Sequence, residues 1–250
     1  MHRPAQRLTR VIARAAVVPV VLVASGCSLL SGSDDGDKDG GDASSSPSAP
    51  ATTAAPPAFA KLPKPCETLS KKTLDDLVPK AGSGSVGKSD DTSLRGSCSW
   101  DSLDNNGVHG SQFRWLNVSL ARFAAEPGRD APNTLASRYY DKQVSAAKAA
   151  EGATGVRTEP AEGTGGDQAT AVRYDLKKKE GRFKQQTVVV RKDNVVVTVD
   201  YDGAGLAGEK TPDADDLMKD AKRAAKEALA AVTEANKSGG SGDAGGSDGD

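Results

Sequence analysis

Histidine is nearly absent from this sequence, which has only His2 and His109 in 250 residues. Zinc sites built from His and Cys, and Ser-His-Asp triads, both need well-placed imidazoles. One histidine in the main part of the chain excludes the first, and a triad would have to be built on a turn residue because His109 follows Asn106-Gly107. No G-x-S-x-G motif is present. We therefore predict no metal site and no cofactor, with His109 a solvated loop residue.

An apolar run long enough to cross a bilayer core of about 30 Å is also missing near the N-terminus. Residues 15–23 are apolar but short, and they follow Arg3, Arg7, Arg10 and Arg14. This pattern is typical of a cleaved export signal. The run ends in Leu-Val-Ala-Ser-Gly-Cys at 22–27, which matches a lipobox. We predict a signal peptide over 1–26 and an acylated Cys27 at the extracytoplasmic face of the membrane. The alternative is an ordinary signal with an incidental cysteine.

The chain has no excess of basic residues, and its formal net charge is -1. The acidic flanks at 28–62 and 237–250 offset the arginines of the signal, so residues 63–236 are close to neutral. A nucleic-acid binder relies on a basic face that neutralises phosphates. The charge balance therefore argues against a nucleic-acid partner.

Cysteine is scarce too, with three residues in the whole chain. If Cys27 carries lipid, Cys66 and Cys98 remain as one pair. Export to an oxidising compartment permits a disulfide between them. The alternative is a pair of buried thiols.

The composition divides the chain into four parts. Residues 27–62 and 237–250 are rich in Ser, Gly, Asp, Ala and Pro, so we predict a disordered acidic tether and a disordered tail. Residues 63–236 are sufficient for one globular domain. Its periodicity predicts the order α-β-β-α-β-β-β-α, with a bulge near Trp115 where the apolar alternation changes phase. The expected class is α+β, an antiparallel sheet with helices packed on it as a sandwich.

Predicted helix starts follow from capping residues. Ser70 is expected to cap a short first helix, and Pro132 lies at the start of the second. Thr211-Pro212-Asp213 is expected to open the last helix with Thr211 as the cap.

The segment at 82–89, Gly-Ser-Gly-Ser-Val-Gly-Lys-Ser, matches the phosphate-loop pattern G-x-x-x-x-G-K-[ST]. A working phosphate loop follows a buried strand and opens a helix. Here Pro79 precedes the segment, and the strand at Cys98 leaves no room for a helix after it. Residues 195–200 resemble the magnesium-binding strand of such proteins but belong to an antiparallel hairpin. We therefore predict no nucleotide partner.

Four short motifs carry a resemblance to a known family. They are Pro65-Cys66 before the capped helix, Gly-Ser-Cys-Ser-Trp at 96–100, Gly-Gly-Asp-Gln-Ala at 165–169 and Val-Val-Arg-Lys-Asp-Asn at 189–194. In order and spacing they resemble the actinobacterial lipoproteins grouped as domain of unknown function 3558. The resemblance implies an envelope lipoprotein with a Cys66–Cys98 disulfide and a PsbP-like sandwich. It implies no catalytic residues.

The leading functional hypothesis is a non-enzymatic module of the cell envelope that binds a partner protein or an apolar or anionic ligand. The candidate contacts are the basic cluster from Lys177 to Lys184, and aromatic residues that are otherwise expected in the core. A purely structural spacer is a further possibility. The enzymatic alternative is a hydrolase that uses carboxylates such as Asp167 or Asp200. Glycoside hydrolysis needs two carboxyls about 5 to 10 Å apart.

Overall fold

A computed structural model describes residues 56–237 and shows one antiparallel sheet of seven strands. The strands are β1 (Ser85–Val86), β2 (Arg95–Asn105), β3 (Ser111–Arg122), β4 (Thr154–Pro160), β5 (Gln168–Lys177), β6 (Arg182–Lys192) and β7 (Val195–Leu206). Their order in the sheet is β1-β2-β3-β7-β6-β5-β4. The helices are α1 (Lys71–Leu77), α2 (Pro132–Lys148) and α3 (Ala214–Lys237), and short 3₁₀ turns lie at Pro65–Glu67 and Gly107–His109. The predicted α+β class is confirmed.

Two strands, β1 and β4, were missing from the predicted order. β1 has two residues, both exposed, and every residue of β4 is exposed. The two strands lie at opposite edges of the sheet. An edge strand with no buried face has no apolar alternation to reveal it in the sequence.

The two sides of the sheet are covered differently, and we name them by their helices. The α3 face carries the main core, because alternate residues of the central strands point towards α3. Leu116, Val118, Val197 and Val199 are fully buried there. Helix α3 presents alanines to them, which allows helix and sheet to approach closely; these are Ala221, Ala224, Ala225 and Ala228.

The opposite side, the α2 face, is covered over only part of its length. Tyr140 and Ala136 of α2 pack on Val189, Val196 and Ala121 near one end of the sheet. The Tyr140 hydroxyl is hydrogen-bonded to Thr170.

The predicted bulge near Trp115 is wrong, because β3 pairs without interruption with both of its neighbours. The phase change has another origin. Phe113 and Trp115 point to the α2 face, whereas Leu116 and Val118 point to the α3 face. Both faces carry apolar side chains at this position, so neither alternation is broken by an extra residue.

The cap of α3 also differs from the prediction. Asp213 accepts hydrogen bonds from the backbone N–H groups of Asp215 and Asp216, and α3 begins at Ala214. Asp213 is therefore the capping residue in place of Thr211. The predicted cap of α1 is present, because the Ser70 hydroxyl accepts a bond of 3.2 Å from the Thr73 N–H. Helix α2 begins at Pro132 as expected.

The packed chain begins before residue 63, within the segment assigned to the tether. Phe59 is 5% exposed and belongs to the main core. Asn194 accepts a bond from the Phe59 N–H and donates to its carbonyl oxygen. Asn236, near the end of α3, holds Ala60 and Lys61 in the same way. The N-terminal segment is thus attached at the end of the sheet where β6 turns into β7.

The predicted disulfide between Cys66 and Cys98 is confirmed, with a Cα–Cα distance of 5.1 Å. Cys98 is fully buried in β2 on the α3 face, and Cys66 lies in the first 3₁₀ turn. The bond therefore ties the N-terminal segment to the sheet. The predicted signal peptide, Cys27, most of the tether and the tail from 238 lie outside the described residues. Over 56–237, no helix has the length and apolar character needed to cross a membrane.

Candidate functional site

Part of the α2 face is not covered by α2. We call it the open region, and it comprises the α2-face side chains at positions 99–103, 113–117, 172–176, 183–187 and 200–204. Strand register arranges these side chains in three rows across five strands. The outer row is Leu103, Phe113, Ala204, Phe183 and Leu176; the middle row is Asp101, Trp115, Asp202, Gln185 and Tyr174; the inner row is Ser99, Asn117, Asp200, Thr187 and Val172.

Two carboxyl groups lie next to each other at the centre of the open region. Asp200 and Asp202 are two positions apart on β7, so their side chains leave the same face with Cα atoms about 6.5 to 7 Å apart. Asp200 accepts a hydrogen bond of 2.7 Å from the Thr187 hydroxyl and a long one of 3.5 Å from the Asn117 amide. Within residues 56–237 neither carboxyl takes part in an ion pair.

Burial makes both acids weak, although the charge of Lys178 offsets part of the effect on the pKa of Asp202. Burial raises the pKa of Asp200, and the bonds from Thr187 and Asn117 offset part of that effect. Burial and then the nearby charge of Asp200 raise the pKa of Asp202 to about 8. Burial, followed by the charges of Asp202 and Asp200, also raises the pKa of Tyr174. At neutral pH Asp202 is therefore mostly protonated and can donate a hydrogen bond.

An apolar groove adjoins the acid pair. It has a volume of about 550 Å³ and is lined by Phe113, Trp115, Phe183, Leu206, Asp202, Lys178 and Glu180. The rings of Phe113 and Phe183 meet edge to face at 5.8 Å between centroids. The open region thus combines aromatic surface with carboxyl and amide groups, a combination suited to a ligand that is part apolar and part polar.

The acids chosen from the sequence do not come together. Asp167 lies at the other end of the sheet, where its carboxylate accepts a bond of 2.7 Å from the Asp193 N–H and lies 3.5 Å from Arg191. The partner of Asp200 is Asp202, which sequence reasoning missed. The alternation of Val195, Val197, Val199 and Tyr201 was the signal that could have found it, because it places 200 and 202 together on the other face.

The phosphate-loop segment at 82–89 forms no phosphate-binding turn. Ser85 and Val86 are strand β1, paired antiparallel with Ser99 and Cys98, and β2 is the next regular element. Lys88 is exposed. Without a helix start behind the loop, its backbone N–H groups do not converge on one point.

The remaining predicted residues lie on the surface or in the core. His109 is exposed in the second 3₁₀ turn. The basic cluster is partly neutralised within the domain, because Lys184 lies 2.9 Å and Arg182 3.8 Å from Asp175. Lys178 covers the Phe183 ring at 4.4 Å.

The aromatic residues fall into two groups. Trp100, Tyr140 and Tyr201 are buried, whereas Trp115, Tyr139 and Tyr174 are half-buried. The expectation that most aromatics serve the core thus holds for the first group. Trp115 and Tyr174 belong to the open region. Over residues 56–237, no three His, Cys, Asp or Glu side chains are grouped as metal ligands.

Comparison with known proteins adds little. No family model matches the chain, and no curated protein matches it. One solved structure, a crystal structure of Ara h 8.0201, aligns with 71% of this chain and 93% of its own at 11% identity and a TM-score of 0.17. A likeness this low carries no argument about fold or function.

Proposed function

We propose that this chain is an exported lipoprotein, anchored through acylated Cys27, whose open region binds a ligand of the cell envelope. Membership in the lipoprotein family with domain of unknown function 3558 is part of this proposal and rests on the four motifs. The observation that carries the binding function is the acid pair, Asp200 and Asp202, half-buried beside aromatic side chains and without an ion pair within residues 56–237.

The acid pair is unfavourable for folding. A carboxyl group that loses water without gaining a charged partner destabilises the native state whenever it is ionised. Asn or Thr at both positions would fit the same strand without that cost. Perturbed acids kept beside a groove are typical of functional sites.

The chemistry of the open region restricts the ligand. An anionic ligand would meet two carboxyl groups and one ammonium group, that of Lys178, so a neutral or amine-bearing ligand suits this surface better. Hydroxyl or amine groups can donate to Asp200 and accept from protonated Asp202. Trp115 and Phe113 offer flat apolar faces for C–H groups. A sugar ring has apolar C–H faces and hydroxyls at its edge, so we propose a neutral or amine-bearing glycan.

The open region lies away from the end of the sheet to which the N-terminal segment is attached. The N-terminal segment joins the sheet at Asn194, and Asp202 lies eight strand positions further on, about 25 Å away. The basic cluster lies beyond it, at the turn between β5 and β6.

A second candidate function is the carboxylate-dependent hydrolase, now with Asp200 and Asp202 as its pair. Their Cα atoms are about 6.5 to 7 Å apart, which permits the carboxyl separation of glycoside hydrolysis, about 5 to 9.5 Å. Protonated Asp202 has the state required of a general acid. Binding remains the first proposal because the groove is open along the sheet and both acids lie on a flat strand surface. Shortened glycan products, lost in Asp200→Asn, would favour the enzyme.

The test is a pull-down of the intact lipoprotein from its own membranes, with analysis of bound glycans, lipids and proteins. We expect a glycan with the unaltered chain and its loss with Trp115→Ala. Val108→Ala is the matched control, because Val108 is 96% exposed and lies outside the open region. Identical recovery with all three chains would contradict the binding site. Mass spectrometry of the N-terminus tests the anchor separately, and an unmodified Cys27 would contradict it.

A further inference from the structure

A second cavity lies on the α3 face, where β4, β5 and β6 meet the first turn of α3. It has a volume of about 350 Å³. Its principal lining residues are Gly155, Arg157, Arg173, Lys184, Gln186 and Asp215. The proposed glycan site makes no use of it, because the open region is on the other side of the sheet.

Gln186 is the unusual residue of this cavity. It is 1% exposed, and neither the Nε2 nor the Oε1 atom of its side chain has a hydrogen-bond partner within residues 56–237. Buried amides in native proteins are almost always paired, so an unpaired one beside a cavity needs an explanation. A valine at this position, like Val188 on the same face of β6, would leave no polar side-chain atom unpaired. A ligand that offers both a hydrogen-bond acceptor and a donor would satisfy the Gln186 amide.

The charges around Gln186 favour an anion. Lys184 is neutralised by Asp175, whose two oxygens both lie at 2.9 Å from it. Arg173 contacts Asp215, but that carboxylate is 81% exposed and is a weak, replaceable partner. Arg157 has no acidic partner within 56–237. Two guanidinium groups are therefore available to a carboxylate that enters the cavity.

We propose that this cavity binds the C-terminal end of a peptide. The terminal carboxylate pairs with Arg157 and Arg173 and displaces Asp215. The penultimate residue of the peptide completes Gln186: its backbone N–H donates to Gln186 Oε1, and its carbonyl oxygen accepts from Gln186 Nε2, because the N–H and C=O of one extended residue point to the same side. A carboxylate next to an amide is the simplest ligand that satisfies both the charge and the unpaired side chain.

The test is an NMR titration of the ¹⁵N-labelled full chain in detergent with acetyl-trialanine. We expect saturable shifts of the Gln186 side-chain NH₂ signals, with binding weakened at least about tenfold for acetyl-trialanine amide, which lacks the charge. Acetate, which lacks the amide, is also expected to bind more weakly. Equal binding of the free acid and the amide would overturn the proposal.

Gln186→Met keeps the size of the side chain and removes its polar atoms. We expect it to weaken acetyl-trialanine at least about fivefold. Gln185→Met is the matched control, because Gln185 is the neighbouring buried residue, 8% exposed, and points to the opposite face. Equal affinity of the two variants would overturn the role of Gln186. If Gln186→Met does not fold, the comparison of acetyl-trialanine with its amide on the unaltered chain still tests the proposal. No shift at Gln186 with any probe would mean that the cavity holds only water, and the proposal would be wrong.

Discussion

The two faces of the central strands differ in how far their apolar character extends. On β7 the α3-face positions are Val195, Val197, Val199 and Tyr201, all buried. The α2-face positions change from Val196 to Thr198, and then to Asp200 and Asp202. The change occurs where α2 no longer covers the sheet. On β7, the α3 face is therefore organised for packing along its whole length, and the α2 face for packing only where a helix lies on it.

On β3 and β7, this difference separates the residues that stabilise the fold from those of the proposed glycan site. Burial on the α3 face supplies the apolar contacts that hold the fold, so its residues tolerate little change. The open region buries fewer of its side chains and contains acids that oppose folding when ionised. Variants with matched substitutions on the two faces test this division.

The largest effect is expected from a pair of neighbours on β3 that point to opposite faces. Leu116→Ala leaves a cavity under α3 and should lower the free energy of unfolding by about 2 to 5 kcal/mol. Asn117→Ala, in the open region, should lower it by less than about 1.5 kcal/mol, because it removes side-chain hydrogen bonds only. Urea denaturation measures both. Equal losses would refute the division between the faces.

The disulfide is the next test, because it lies on the α3 face. Replacing both Cys66 and Cys98 with serine should lower the free energy of unfolding by about 3 to 4 kcal/mol, as expected for a loop with a sequence separation of 32. At a low temperature, at which the variant remains folded, glycan binding should persist. A loss of binding in a folded variant would show that the two faces are coupled.

The third test is the pH dependence of stability caused by Asp202. Its folded pKa of about 8 exceeds the usual value, so the native state holds a proton that the unfolded state releases. Stability is greatest below the unfolded pKa and falls as the pH rises towards 8. Between pH 5 and 8 the loss should be about 1.4 to 4 kcal/mol, from about 1.4 kcal/mol per pH unit.

The Asp202→Asn variant should lose the part of this pH dependence that Asp202 causes, since its side chain does not ionise, and Asp200, whose pKa burial also raises, should retain the rest. Asp101→Asn is the matched control, because Asp101 lies in the same row and is exposed. Thermal unfolding across the pH range measures all three chains. A similar decline in the wild type and Asp202→Asn would contradict the burial of an unpaired acid.

The smallest effect concerns the covered end of the α2 face. Tyr140→Phe removes the hydroxyl that is hydrogen-bonded to Thr170 and should lower the free energy of unfolding by about 1 kcal/mol. Tyr139→Phe keeps the contact with the Phe123 ring and should change little. Neither change should affect glycan binding, because both residues lie outside the open region. An effect on binding would extend the site beneath α2.

Much of the fold could be predicted from local patterns. Apolar alternation identified five strands, and capping residues and proline located three helices, because these signals are carried by a few neighbouring residues. β4 could not be predicted, since its partner, β5, supplies the hydrogen bonds that hold an exposed segment extended. The cap of α3 was assigned to Thr211 because Asp213 and Thr211 both suit a cap, and only the path of the chain decides between them.

The candidate site was only half predictable. Asp200 was identified from the sequence, but its pairing with Asp202 was not. The alternation of side chains along β7 implies this pairing, because it places both residues on the same face. The burial of both acids and the aromatic groove depend on neighbours from β3 and β6, which are far away in the sequence. Gln186 gave no local signal, because an unpaired amide is recognised only when its surroundings are known.

The most direct test of the central claim is the binding of a labelled neutral glycan fraction from the envelope, followed by fluorescence anisotropy. We expect saturable binding to the full chain in detergent and to Val108→Ala, and at least about tenfold weaker binding to Trp115→Ala and to Asp200→Asn in folded protein. Equal affinity of all four chains, or no binding to any of them, would contradict the assignment of the open region as a ligand site.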